Sequence, residues 1–113
     1  MGITTSPLLR GLVVGEYGKV NSITLKNFSG AAENVSIYTG NKYVVFRSPD
    51  KRKSITCTAS FLTDGSDGIV TWSFGSGDPL DRDGIWEAQA ELNCSSSLAK
   101  SYPFDAEVKL ELR

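Results

Sequence analysis

Asp81-Arg82-Asp83-Gly84-Ile85-Trp86-Glu87-Ala88-Gln89-Ala90-Glu91-Leu92 opens as an acidic turn and continues as a strictly alternating segment. Trp86, Ala88, Ala90 and Leu92 fall on one side, and Glu87, Gln89 and Glu91 on the other. Period two with one apolar and one wet face predicts a half-buried strand of an antiparallel sheet. The placement of an acidic loop directly before a buried tryptophan raises a second question. The loop either builds the turn or carries chemistry.

The same period runs outward in both directions. Toward the C-terminus, Phe104, Ala106, Val108, Leu110 and Leu112 alternate with Asp105, Glu107, Lys109 and Glu111. Toward the N-terminus, Val70, Trp72 and Phe74 share a face, as do Ile55, Cys57, Ala59 and Phe61. Residues 43–47, 34–38 and 20–28 supply further strands. Between them lie clusters of turn residues: Thr63-Asp64-Gly65-Ser66-Asp67-Gly68, Ser48-Pro49-Asp50 and Ser29-Gly30-Ala31-Ala32. About seven short strands at near-regular spacing, with no helical stripe, predict an all-β, immunoglobulin-like antiparallel sandwich over residues 20–113. Residues 1–19, broken by Gly11 and Gly15, are expected to be an N-terminal arm or an edge strand, with the arm preferred.

Composition narrows the function. The 113 residues suit one domain with one core, and 40% hydrophobic against 22% charged residues is ordinary for a globular chain. Histidine is absent, which removes the commonest general base, the commonest metal ligand and every Ser-His or Cys-His pair. Two cysteines, Cys57 and Cys94, are too few for a zinc site. They read as small buried hydrophobes in preference to one inter-sheet disulfide, because no secretion signal precedes them. Asn27-Phe28-Ser29, Asn34-Val35-Ser36 and Asn93-Cys94-Ser95 fit the glycosylation pattern, which matters only in a secretory pathway. No apolar run is long enough to cross a bilayer as a helix. No membrane partner is therefore expected.

Charge is uneven along the chain. Residues 1–53 hold eight Lys/Arg and three Asp/Glu, giving +5; residues 54–113 hold four and ten, giving −6, for a total of −1. The only dense basic run, Lys51-Arg52-Lys53, reads as a solvated hairpin tip, so no nucleic-acid partner is expected. If the fold separated the two signs, copies would attract end to end, and a homo-oligomer would follow.

The acidic loop has two readings. Asp and Gly build turns, and Trp86 then enters the core. Alternatively Asp78, Asp81 and Asp83, with Asp64 or Asp67, would ligate calcium, although their spacing is unlike an EF-hand loop. The turn reading is preferred, and no cofactor or metal is expected. Paired carboxylates for glycoside hydrolysis are not expected either, because the acids sit in turns or on the wet face of strands. The chain is read as non-enzymatic.

The order of segments resembles the immunoglobulin-like N-terminal domain of phage upper baseplate proteins of the BppU type. The resemblance is carried by Asn21-Ser22-Ile23-Thr24-Leu25-Lys26-Asn27-Phe28-Ser29-Gly30, Lys42-Tyr43-Val44-Val45-Phe46-Arg47-Ser48-Pro49-Asp50, Gly68-Ile69-Val70-Thr71-Trp72-Ser73-Phe74, Asp83 through Leu92, and Phe104-Asp105-Ala106-Glu107-Val108. It implies a virion structural module, assembled in the host cytoplasm, that docks on other phage proteins of the tail, baseplate or capsid. In that family the domain is usually fused to a longer fibre, whereas here the sequence stops just after the last strand. An attachment, connector or decoration role is therefore expected, in a complete small protein. Leu8, Leu9, Leu12, Val13, Val14 and Tyr17 of the arm are the expected partner-binding residues, with Tyr38 and Tyr102 as further anchors. The alternative is a carbohydrate- or cell-surface-binding module with Trp72 and Trp86 as platforms.

Overall fold

A computed structural model describes residues 8–77 and 79–110. Among them there is no helix. Eight strands follow in order: β1 (Leu8–Val13), β2 (Asn21–Thr24), β3 (Lys42–Arg47), β4 (Ser54–Phe61), β5 (Ile69–Trp72), β6 (Gly84–Cys94), β7 (Ser97–Lys100) and β8 (Phe104–Lys109). The hydrogen-bonded path is β1-β8-β6-β3-β4-β5-β2, with β7 also on β6.

The long strand β4 turns this path into a sandwich. Its residues Ser54–Ala59 pair with β3, and Ala59–Phe61 pair with β5. Beyond that point β5 and β2 fold back behind the front strands. Phe46 on β3 then meets Trp72 on β5 at 5.7 Å and Phe74 at 5.1 Å between ring centroids. The front order β8-β6-β3, backed by the β2–β5 pair, is the immunoglobulin-like arrangement. The alternation read from the sequence is the burial pattern: Val44 and Phe46, Ile55, Cys57 and Ala59, Val70 and Trp72, and Trp86, Ala88, Ala90 and Leu92 all point inward.

Four departures from expectation have local causes. Pairing is antiparallel except at β1, which lies parallel to β8. β1 is a strand of the sheet and Leu12 is in the core, so the arm reading fails for residues 8–13; residues 1–7 lie outside the described residues. Between Leu9 and Leu12 the register slips by one residue, at Gly11 with φ 90°, so the glycine that argued against a strand makes a bulge within it. Residues 34–38 are a turn, not a strand. The Asn34 side-chain oxygen accepts from the Ser36 amide at 3.0 Å and its hydroxyl at 2.7 Å, and the Tyr38 amide returns to the Val35 carbonyl.

The fourth departure is that the last strand is broken into β7 and β8. Lys100 pairs with Glu91 and Phe104 with Ala88, so three residues oppose two. The extra residue is accommodated by Ser101, which is 3% exposed. Its hydroxyl accepts the Ala90 amide at 3.0 Å, its own amide donates to the Ala90 carbonyl, and Pro103 brings no donor to satisfy.

Candidate docking surfaces

The acidic loop is a clasp. Asp81 receives Lys53 Nζ at 3.2 Å and the Arg82 guanidinium at 2.9 Å, and Arg82 also reaches Asp50 at 2.7 Å. The loop before β6 is thus tied to the β3–β4 hairpin. Within that hairpin the Ser48 hydroxyl donates to Asp50 and accepts the amides of Arg52 and Lys53. The Arg82 guanidinium foremost, then Lys53, hold the Asp81 carboxyl below the usual range. The Ser48 hydroxyl, then the Arg52 amide, do the same for Asp50. Gly84, at φ 118°, lets the chain turn past the Pro49 ring, which would stand 3.0 Å from an added Cβ. Trp86, wholly buried, donates its indole N–H to the Arg82 carbonyl four residues upstream at 2.9 Å. That is the task of the corner tyrosine in immunoglobulin-like sandwiches.

The clasp also mixes the two charge blocks. Lys53 of the basic half and Asp81 of the acidic half are in contact, so the fold does not set the blocks at opposite ends, and the end-to-end attraction loses its basis. The proposed calcium ligands are used locally. Asp64 accepts the Ser66 amide and hydroxyl, and Asp67 accepts from Thr63 and the Ile69 amide. Asp78 lies outside the described residues. Among the described residues no group of three His, Cys, Asp or Glu converges.

The expected partner-binding residues are divided. Leu12 is 2% exposed within the protein's own core, and Leu9 and Val14 pack half-buried against it. Val13 is half-buried, and its amide donates to Glu16 Oε1 at 3.1 Å. Leu8 pairs with Asp105 through its backbone, and its side chain lies outside the described set. Tyr17 is the one exposed residue among the five whose side chains are described. Tyr38 is buried, as are Trp72 and Trp86, which removes both tryptophans as sugar platforms.

Cys57 and Cys94 are not joined in a disulfide. Cys57 stands opposite Val44, and Val44 opposite Ala90, so Cys94 lies four residues farther along β6. That is roughly 13 Å along the strand direction, beyond disulfide reach. Cys57 is buried, whereas Cys94 is half-buried beside the Ser97 hydroxyl at 3.0 Å. Hydrogen bonds from that hydroxyl and from the Ser96 amide bring the Cys94 thiol down to about 7.

The sequence reading missed the apolar end of the sandwich. Register puts the start of β3, the ends of β4 and β6, and the β2–β5 junction at one level, since Lys42 faces both Ala59 and Leu92 and Thr24 faces Ile69. The connections at this end carry Phe28, Ile37 and Leu62, β7 adds Leu98, and Tyr102 joins them by packing edge-on against Phe28 at 5.2 Å. These are five of the nine large apolar side chains exposed among the described residues. All but Leu98, which sits on the short strand β7, lie in connections, where period two gives no signal.

No protein-family model and no curated protein matches the chain. Among solved structures it is similar to AggA, the major subunit of aggregative adherence fimbriae type I from Escherichia coli, with 14% identity over 96% of this chain and 93% of that one. The TM-score is 0.25, at which the likeness carries no argument. The immunoglobulin-like class rests on the strand order described above.

Proposed function

We propose that the protein is a non-enzymatic virion structural module that docks on tail, baseplate or capsid proteins of a phage. Its work is surface burial rather than chemistry. The segment order resembling the upper baseplate domains supplies the biological setting, and that warrant is associational. The observation that carries docking is the exposure of Phe28, Ile37, Leu62, Leu98 and Tyr102, which register sets toward one end and of which Phe28 and Tyr102 pack together. Contiguous exposed apolar surface marks interaction sites, and tyrosine and phenylalanine are favoured at the buried centre of interfaces.

The double variant Phe28→Ser, Tyr102→Ser tests this. Both rings are exposed, so the purified variant is expected to keep its circular dichroism and melting temperature. Particles assembled with it are expected to hold about tenfold less of the protein, as loss of a hot-spot pair predicts. Normal incorporation of the folded variant would contradict docking through this end.

A further inference from the structure

The two ends of the hydrogen-bonded path are treated differently. At β1 the outward groups are closed by the chain itself. Glu16 Oε1 accepts the Val13 amide at 3.1 Å, Lys19 Nζ donates to the Gly11 carbonyl at 3.0 Å, and Lys19 and Glu16 pair at 3.3 Å. This is the protection an exposed strand edge needs against unwanted pairing.

At β2 no such closure exists among the described residues. The Leu25 amide donates inward to Gly68, the Leu25 carbonyl accepts from Glu33, and the Asn27 amide donates to Ala31. Residues 25 and 27 thus use their backbone groups on the β5 side. By alternation, Ser22, Thr24 and Lys26 direct theirs outward. Residues 21–26 contain no proline and no bulge; what guards this edge is its shortness, four residues, and the charge of Lys26, which an incoming strand must match.

We propose that the β2 edge receives an extended segment of a partner protein by strand addition. The occupant follows from the edge. Amides and carbonyls recurring every second residue match an extended backbone and no compact ligand. On the inner side the added strand continues the surface of Ile23 and Leu25, which requires apolar residues at alternate positions. On the outer side it lies beside Ser22, Thr24 and the ammonium of Lys26, which calls for polar residues and one carboxylate. Pairing with a second copy of β2 is disfavoured, because residues 20–26 carry no acidic side chain to meet Lys26. This edge ends at Lys26, two residues before Phe28 of the apolar end, and does not depend on the virion setting.

The test selects short random peptides on the full-length protein and counter-selects on Thr24→Pro. The Thr24 amide points outward, so proline removes an edge donor without breaking a β2–β5 bond. Recovered peptides are expected to alternate apolar with polar residues, to carry a carboxylate, and to bind Thr24→Pro about tenfold more weakly than the natural chain. Peptides that bind both proteins equally, or an unenriched library, would overturn the proposal. Should Thr24→Pro not fold, amide exchange in the unmodified protein decides. The Ser22, Thr24 and Lys26 amides must exchange about 100-fold faster than those of Ile23 and Leu25, and equal protection refutes an open edge. Presence in or absence from particles bears on the virion reading alone.

Discussion

Ser101 occupies the break between β7 and β8, where a strand residue would have supplied the ladder bond. Its hydroxyl is the partner of the buried Ala90 amide. Ser101→Ala is therefore expected to cost about 1–3 kcal/mol, the range for a buried donor left unsatisfied, read from urea unfolding. Lys51 is the one non-glycine residue at positive φ among the described residues, at 64° on the hairpin tip. Lys51→Gly relieves that conformation and is expected to add about 0.5 kcal/mol after the entropy gained by the unfolded chain is subtracted. A loss of stability would show that the Lys51 side chain contributes more than its backbone costs. Cys94 is expected to react with a disulfide reagent in the native state with a midpoint near pH 7, while Cys57 reacts only on unfolding. Two fast thiols in the native protein would contradict the burial of Cys57.

Among the elements, β1 bears most on function. Of the two expectations for residues 1–19, an arm burying its leucines on a neighbour or an edge strand, residues 8–13 meet the second, and Leu12 lies in the protein's own core. Leu12→Ala should then cost about 2–5 kcal/mol of monomer stability by denaturant unfolding, as for other buried leucines. A cost below about 0.5 kcal/mol, typical of surface positions, would restore the arm. The strands with strict alternation, β4, β6 and β8, were legible because one face of each is wet. Three features were not legible. The bulge at Gly11 disguised β1, and the side-chain turn at Asn34 overrode the β-branched residues at 35 and 37. β7 is four residues long, beside a serine run that reads as loop. In each case a local hydrogen bond or a register slip, invisible to periodicity, decided the outcome.

At the scale of the molecule, the charge clasp and the Arg47–Glu87 pair lie at the surface. Asp50, Asp81 and Glu87 all have carboxyls held below their usual values. Such groups stabilise the fold above their unfolded pKa, and that contribution disappears as the pH falls through the lower folded value. The melting temperature is expected to be flat from pH 7 to about 5, to fall below about pH 4, and to fall less steeply in high salt. A decline already beginning near pH 6 would point to other groups. The docking end was not foreseen because its residues come from separate connections that only the completed sandwich assembles. The turn Asp81-Arg82-Asp83 was legible from its composition, but the ties of Arg82 to Asp50 and of Asp81 to Lys53 needed the fold.

The most direct measurement of the central claim is quantitative mass spectrometry on density-purified particles from the source culture, with copy number set against the major capsid protein. A virion structural module leaves peptides of this chain in the particles. Some tens of copies or fewer would place it in the tail, neck or baseplate, and hundreds would make it a capsid decoration. Its absence from the particles would contradict the virion reading.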